Sequence, residues 1–186
     1  MDAFEQLVSE ILWMEGYWVR TSVKVGLTKE EKRLIGRHSS PRWELDIVAY
    51  RGRDNLLQIV ECKSFIDSVG VRLSAFDGSN LDHAKRYKLF NEPELRRVVF
   101  NRLCVQLSES GACQEAPKIR LALASGKIRN ESDRKAIRSH FANNDWELWD
   151  EPWLHERLQR MAKQGYENQV SAVVAKLLLR RNIEEM

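Results

Sequence analysis

Two apolar, strand-forming runs carry three ionisable residues that invite a chemical reading: Asp46 in WELDIVAY, and Glu61 and Lys63 in LLQIVECK. Ionised groups are costly to bury alone, so charges set among such neighbours are expected to neutralise one another or to hold a ligand. Two carboxylates and one ammonium suit a hard divalent cation. Magnesium is satisfied by carboxylate oxygens, keeps waters and shares its remaining positions with phosphate oxygens; manganese is the natural substitute. The lysine offsets excess negative charge and orients, or helps deprotonate, an attacking water. The cation stabilises charge that develops at phosphorus. Such a set would suit metal-assisted hydrolysis of a phosphodiester.

Glu-x-Lys says little by itself, since Glu30 to Lys32 repeats it in a polar loop. A plain ion pair between Glu61 and Lys63 is the competing reading. The apolar context and the aspartate on the neighbouring run favour a site.

Whether the three meet depends on hairpin register. The runs Trp43–Tyr50 and Leu56–Lys63 are joined through RGRDN, so Asp46 falls opposite either Val60 or Glu61. Strand side chains alternate faces, and a one-residue slip reverses all of them. Strict alternation groups Asp46 with Val48 and Tyr50, away from Leu45, Ile47 and Ala49. The cluster forms in the register that sets residue 46 against residue 61, or where a bulge restores it, and this is the register expected.

The elements around the hairpin follow from periodicity. Phe4, Leu7, Val8, Ile11 and Leu12 make one helical stripe, capped by Asp2 and ended by Gly16. Residues 17–25 read as a strand. In the basic loop 26–42, Thr28 and Glu31 have capping-box spacing. Beyond the hairpin an irregular stretch leads to a helix near 81–90 and another opened by Pro93. A strand is expected at 118–125, a helix near 131–142 and a strand at 146–149. Helices near 152–164 and 168–181 follow, the last bearing Val170, Val173, Val174, Leu177 and Leu178 on one face. That stripe has two readings: it covers the sheet, or it joins a homodimer.

This arrangement resembles the PD-(D/E)XK nuclease superfamily, the restriction-endonuclease-like fold. The likeness covers about residues 2–150: a helix bearing a glutamate, a strand, an aspartate-bearing strand, a Glu-x-Lys strand, a helix and a further strand. It is nearest in feel to Holliday-junction resolvase-like and Mrr-like members, whose first helix also ends at a glycine-aromatic pair, as in FEQLVSEILWMEGYWV. The resemblance implies an α/β protein with an αβββαβ core, a mixed central sheet flanked by helices, and additional C-terminal helices. Residues 1–150 would form the nuclease-like domain and residues 151–186 a helical extension. It implies a magnesium-dependent deoxyribonuclease, an endonuclease before an exonuclease, with DNA as partner. Glu5, Asp46 and Glu61 would be metal ligands and Lys63 the catalytic lysine. Leu45 stands where the family pattern has proline. The alternative is a nuclease-fold subunit that binds nucleic acid or joins an assembly without cutting.

Other polar residues have plainer explanations. Glu5 stands where a capping box with Asp2 needs it; Glu10 lies on the opposite border of the stripe. Glu44 reads as a solvated strand end, and Ser64 as a loop serine. His83 and Tyr87 only faintly match the Gln-x-x-x-Tyr of exonuclease members and are expected to make surface contacts. His38, His140 and His155 lack metal-ligand spacing.

The net charge of +3 and pI near 8.8 are weak signs of an anionic partner. Basic residues do gather at Lys24, Lys29, Lys32, Arg33, Arg37, Arg42, Arg51, Arg53, Arg96, Arg97 and Arg102, which would favour phosphate contact. Three unpaired-looking cysteines, Cys62, Cys104 and Cys113, fit a reducing cytoplasm rather than a disulfide framework. No apolar run is long enough to span a bilayer.

Overall fold

A computed structural model describes residues 2–38, 42–165 and 168–179. Helix α1 (Ala3–Met14) buries Phe4, Val8, Ile11 and Leu12, the stripe that its sequence spacing implies. Strand β1 (Trp18–Val25) follows, then the short helix α2 (Lys29–Leu34), opened by the Thr28/Glu31 capping box. Strands β2 (Trp43–Arg51) and β3 (Leu56–Lys63) form the hairpin. Helices α3 (Leu81–Ala84), α4 (Lys88–Asn91) and α5 (Pro93–Glu109) lead to β4 (Lys118–Ser125). The chain continues through α6 (Glu131–Asn143), β5 (Trp146–Trp149), α7 (Glu151–Lys163) and α8 (Val170–Leu179).

The protein is α/β, with one five-stranded mixed sheet flanked by helices. Strands lie in chain order; β1, β2 and β3 pair antiparallel, whereas β3, β4 and β5 run parallel. Parallel neighbours need a crossover, here supplied by α5 and α6. Leu95, Val99 and Leu103 of α5 and Ile137 and Phe141 of α6 pack with Leu57, Ile59, Leu121 and Leu123 on one sheet face. The other face presents Ile47, Ala49, Val60, Ala122 and Ala124 to α1, α7 and α8. Among the described residues no helix is long and apolar enough to cross a membrane.

Two sequence expectations need correction. The helix expected near 81–90 is two single turns, because Tyr87 leaves helical geometry and turns into the core, 4.8 Å from the Phe76 ring centroid. Tyr87 is therefore buried, not a surface contact. In α8 the buried positions are Ala172 and Ala175, while Val170, Val174, Leu177 and Leu178 are exposed. Small residues let α8 approach closely, and Glu10 of α1 accepts hydrogen bonds from the Ser171 backbone N–H and hydroxyl. Residues 180 and 181 of the expected helix, and residues 180–186 of the extension, lie outside the described residues.

Candidate active site between the central strands

The antiparallel ladder between β2 and β3 runs from Arg51↔Leu56 to Ile47↔Val60. Continued by one residue, this register sets position 46 against position 61, but the pairing stops there. Asp46 takes over: its Oδ2 accepts the Cys62 backbone N–H at 2.8 Å. A side chain thus satisfies a donor that the ladder leaves unpaired.

The cause lies one strand further out. Ser22, which continued β1–β2 pairing would set against Asp46, has φ of 52°, in the left-handed region, and the register passes over it. Both strands twist at this point. Val19 packs with the α1 face and Val23 with the opposite one; on β2, Ile47 and Leu45 are split the same way. Leu45 therefore does not share a face with Ile47, contrary to strict alternation. The twist aims Asp46 into the gap between strands.

There it meets the other two. Lys63 Nζ lies 2.8 Å from Glu61 Oε1 and 4.0 Å from Asp46 Oδ2, and donates to the Cys62 carbonyl at 3.1 Å. Each carboxylate spends one oxygen inside the cluster. Asp46 Oδ1 and Glu61 Oε2 have no hydrogen-bond partner among the described residues, and neither is sealed from solvent. Carboxylate oxygens are the donors that magnesium takes when water and phosphate complete its shell. Among the described residues, no group of three or more His, Cys, Asp or Glu is arranged to hold a metal ion.

Electrostatics follow from burial. Desolvation raises the Glu61 carboxyl above its ordinary value; Asp46 adds to this and Lys63 opposes it. Burial alone would lower Lys63, but Glu61 and Asp46 outweigh it, so its pKa is raised and the proton is held firmly. The Cys62 thiol is pushed up by burial and then by Asp46, so it is no nucleophile.

Glu5 closes the capping box: Asp2 Oδ1 accepts the Glu5 N–H at 2.8 Å, and Glu5 Oε2 accepts the Asp2 N–H at 3.3 Å. Its pKa is raised by burial and then by the Asp46 charge, so it also sits in the field of the cluster. Glu10 is engaged with Gln6 and Ser171, and Glu44 is exposed. Ser64 is an exposed loop residue. His83 Nδ1 pairs with Ser74 Oγ at 2.8 Å. Several basic residues singled out in the sequence are committed to ion pairs: Arg37 with Glu92, Arg51 with Asp54, Arg97 with Glu94 and Arg102 with Glu31.

The raised carboxyls give a pH signature. A carboxylic acid with a higher pKa in the folded state stabilises the fold below the ordinary value of 4.5, and that contribution is lost as pH rises through the folded value. Ionising Glu5 and Glu61 therefore costs folding free energy, a cost that a divalent cation held beside them would offset. Magnesium is therefore expected to raise Tm near neutral pH, with the gain fading as pH falls through these raised values. Scanning fluorimetry with and without magnesium reads this directly. A pH-independent gain would contradict it.

The strand end is also fixed from behind. Gly126 donates its N–H to the Lys63 carbonyl at 3.0 Å, and a Cβ at Gly126 would stand 2.3 Å from the Ser64 carbonyl oxygen. Gly126→Ala must push the segment carrying Lys63 aside. We expect a loss of about 1–3 kcal/mol in stability, measured by urea unfolding. An unchanged unfolding midpoint would show that the segment yields freely.

Comparison of the chain with models of protein families, with curated proteins and with solved structures found no match.

Proposed function

We propose that the protein is a magnesium-dependent nuclease that hydrolyses phosphodiester bonds of DNA, built on a restriction-endonuclease-like core. The observation that carries this reading is the Asp46–Glu61–Lys63 cluster, whose two carboxylates each keep one oxygen without a hydrogen-bond partner among the described residues. The element order, helix, three antiparallel strands, helix and a parallel strand, supports it.

Asp46 and Glu61 would hold the cation, with Glu5 bordering them on α1. When bound, magnesium supplies Lewis acidity toward a phosphate oxygen and toward water. Lys63, kept protonated by its two carboxylate neighbours, donates a hydrogen bond to the attacking water and offsets charge gathering on the phosphate. It becomes able to accept a proton only after those neighbours are neutralised. The absence of a third ligating side chain among the described residues favours the alternative, a subunit that binds nucleic acid without cutting it.

One experiment separates the two. Purified protein is incubated with duplex, junction and single-stranded DNA, with and without magnesium, and magnesium binding is measured by calorimetry. Magnesium-dependent cutting is expected. Salt-sensitive DNA binding with no cutting and no cation binding would give the alternative. A homodimer through the exposed stripe of α8 belongs to the same proposal, since cutting both strands uses two sites; light scattering of the full chain tests it.

A further inference from the structure

A cavity of about 240 Å³ adjoins the cluster. Phe65, Val71, Ala75 and Tyr87 give it apolar walls, and Arg72 and Arg86 line it as well. Tyr87 is the wall it shares with the candidate active site: Lys63 Nζ lies 5.9 Å from the Tyr87 ring centroid, and Glu61 acts electrostatically on its phenol.

The cavity is held in shape by backbone. The segment that follows Lys63 is bonded to the segment after β4: Val71 N–H donates to the Lys127 carbonyl at 3.0 Å, and Arg129 N–H to the Val71 carbonyl at 2.9 Å. Gly70, with φ of 88°, runs so close that a Cβ would stand 2.9 Å from both Lys127 O and Arg129 N. Phe65 is itself kept in the left-handed region, at φ of 44°. A non-glycine residue persists there only where its surroundings hold it.

Its polar lining includes two arginines that differ from the carboxylate-paired ones elsewhere on the chain. Arg37, Arg51, Arg97, Arg102 and Arg134 are all paired with carboxylates. The Arg72 and Arg86 guanidinium groups have neither a carboxylate nor a hydrogen-bond partner among the described residues. Unpaired guanidinium groups beside an apolar hollow recognise a planar, apolar-faced group attached to an anion. The volume is below the usual range for drug-sized ligands and suits one ring system. A nucleotide combines both features.

We infer that this cavity receives one unstacked nucleobase of the substrate beside the phosphate to be cut, with Arg72 and Arg86 on the adjoining phosphates. The identity of the ligand rests on the nuclease reading. A base inside a duplex cannot reach such a hollow, so the substrate class is single-stranded, frayed or extruded DNA.

The test compares binding of a fluorescent single-stranded oligonucleotide with that of an equal-length strand whose nucleosides are replaced by tetrahydrofuran spacers. Calcium replaces magnesium, and anisotropy reports Kd. Wild type is expected to prefer the base-bearing strand by about five- to a hundredfold, the range for one stacked base. Val69 lines the cavity yet is exposed, so Val69→Glu places a charge at the mouth without touching the core. That variant should lose the preference. Arg72→Gln/Arg86→Gln should weaken both strands and keep the preference. Equal wild-type affinities, or an undiminished preference in Val69→Glu with an unchanged circular dichroism spectrum, would overturn the inference. Cleavage with magnesium is scored separately. Cutting without base preference removes the pocket and spares the nuclease reading; base preference without any cutting does the reverse.

Discussion

Replacing Lys63 by alanine should slow DNA cleavage by roughly 10²- to 10⁴-fold, the range for a side chain that handles a proton or its charge in the transition state. The fold should survive, because the Lys63 ammonium is partly exposed and its strand stays paired with β4 from Leu56 to Lys63. Asp46→Asn is the sharper companion. An amide oxygen can still accept the Cys62 N–H, so the gap between β2 and β3 remains closed while the charge is gone. Cleavage should fall as steeply, and calorimetry should show magnesium binding lost. Lys63→Ala, in contrast, removes a cation beside the two carboxylates and should bind magnesium no more weakly than wild type. Rates equal to wild type in both variants, under conditions where wild type cuts, would reject the assignment.

The second large effect is on stability. Asp150 is fully buried, and its Oδ2 accepts from Arg134 Nη1 and Arg138 Nη2, each at 2.7 Å. Burial works against the Arg134 charge, but its hydrogen bonds to Glu151 and Asp150 outweigh that, so its pKa is raised. Asp150 also starts α7, accepting the Trp153 N–H. Its neighbour Glu151 accepts the Ile128 N–H at 3.0 Å, and Ile128 bridges to Val71 in the cavity wall. The adjoining carboxylates of Asp150 and Glu151 thus tie α6, α7 and the loop beside the candidate site together. Asp150→Ala leaves a shielded guanidinium short of its partner and should cost about 3–5 kcal/mol. Asp150→Asn retains a capping oxygen and should cost less. Urea unfolding measures both. A loss under about 1 kcal/mol, the scale of an exposed ion pair, would mean that water takes over the role of the carboxylate.

The elements were legible to different degrees. The α1 stripe, the Thr28/Glu31 box and the β4 strand have strong local signals, and all appear at or within a residue of the expected places. The helix near 81–90 misled because periodicity cannot register that Tyr87 gains more from packing on Phe76 than from helical geometry. For the α8 stripe the structure overturns one of its two readings, that it covers the sheet. Large apolar residues look like the buried face, but Ala172 and Ala175 permit the closer approach and occupy it. The unpaired Arg72 and Arg86 were invisible, since nothing in a sequence tells which arginines will find a carboxylate.

The sequence by itself determined the residue types of the candidate site and the hairpin that carries them, because strand propensity and turn composition are local properties. It also narrowed the register to two, but could not choose between them: alternation is symmetric to a one-residue slip. Tertiary structure made the choice. The backbone twist at Ser22 and Asp46 arises where β1 and β2 must face different helices along their length, and no residue of the hairpin alone encodes it. That twist turns Asp46 into the gap, toward Cys62 and Lys63, and so brings two carboxylates and an ammonium together.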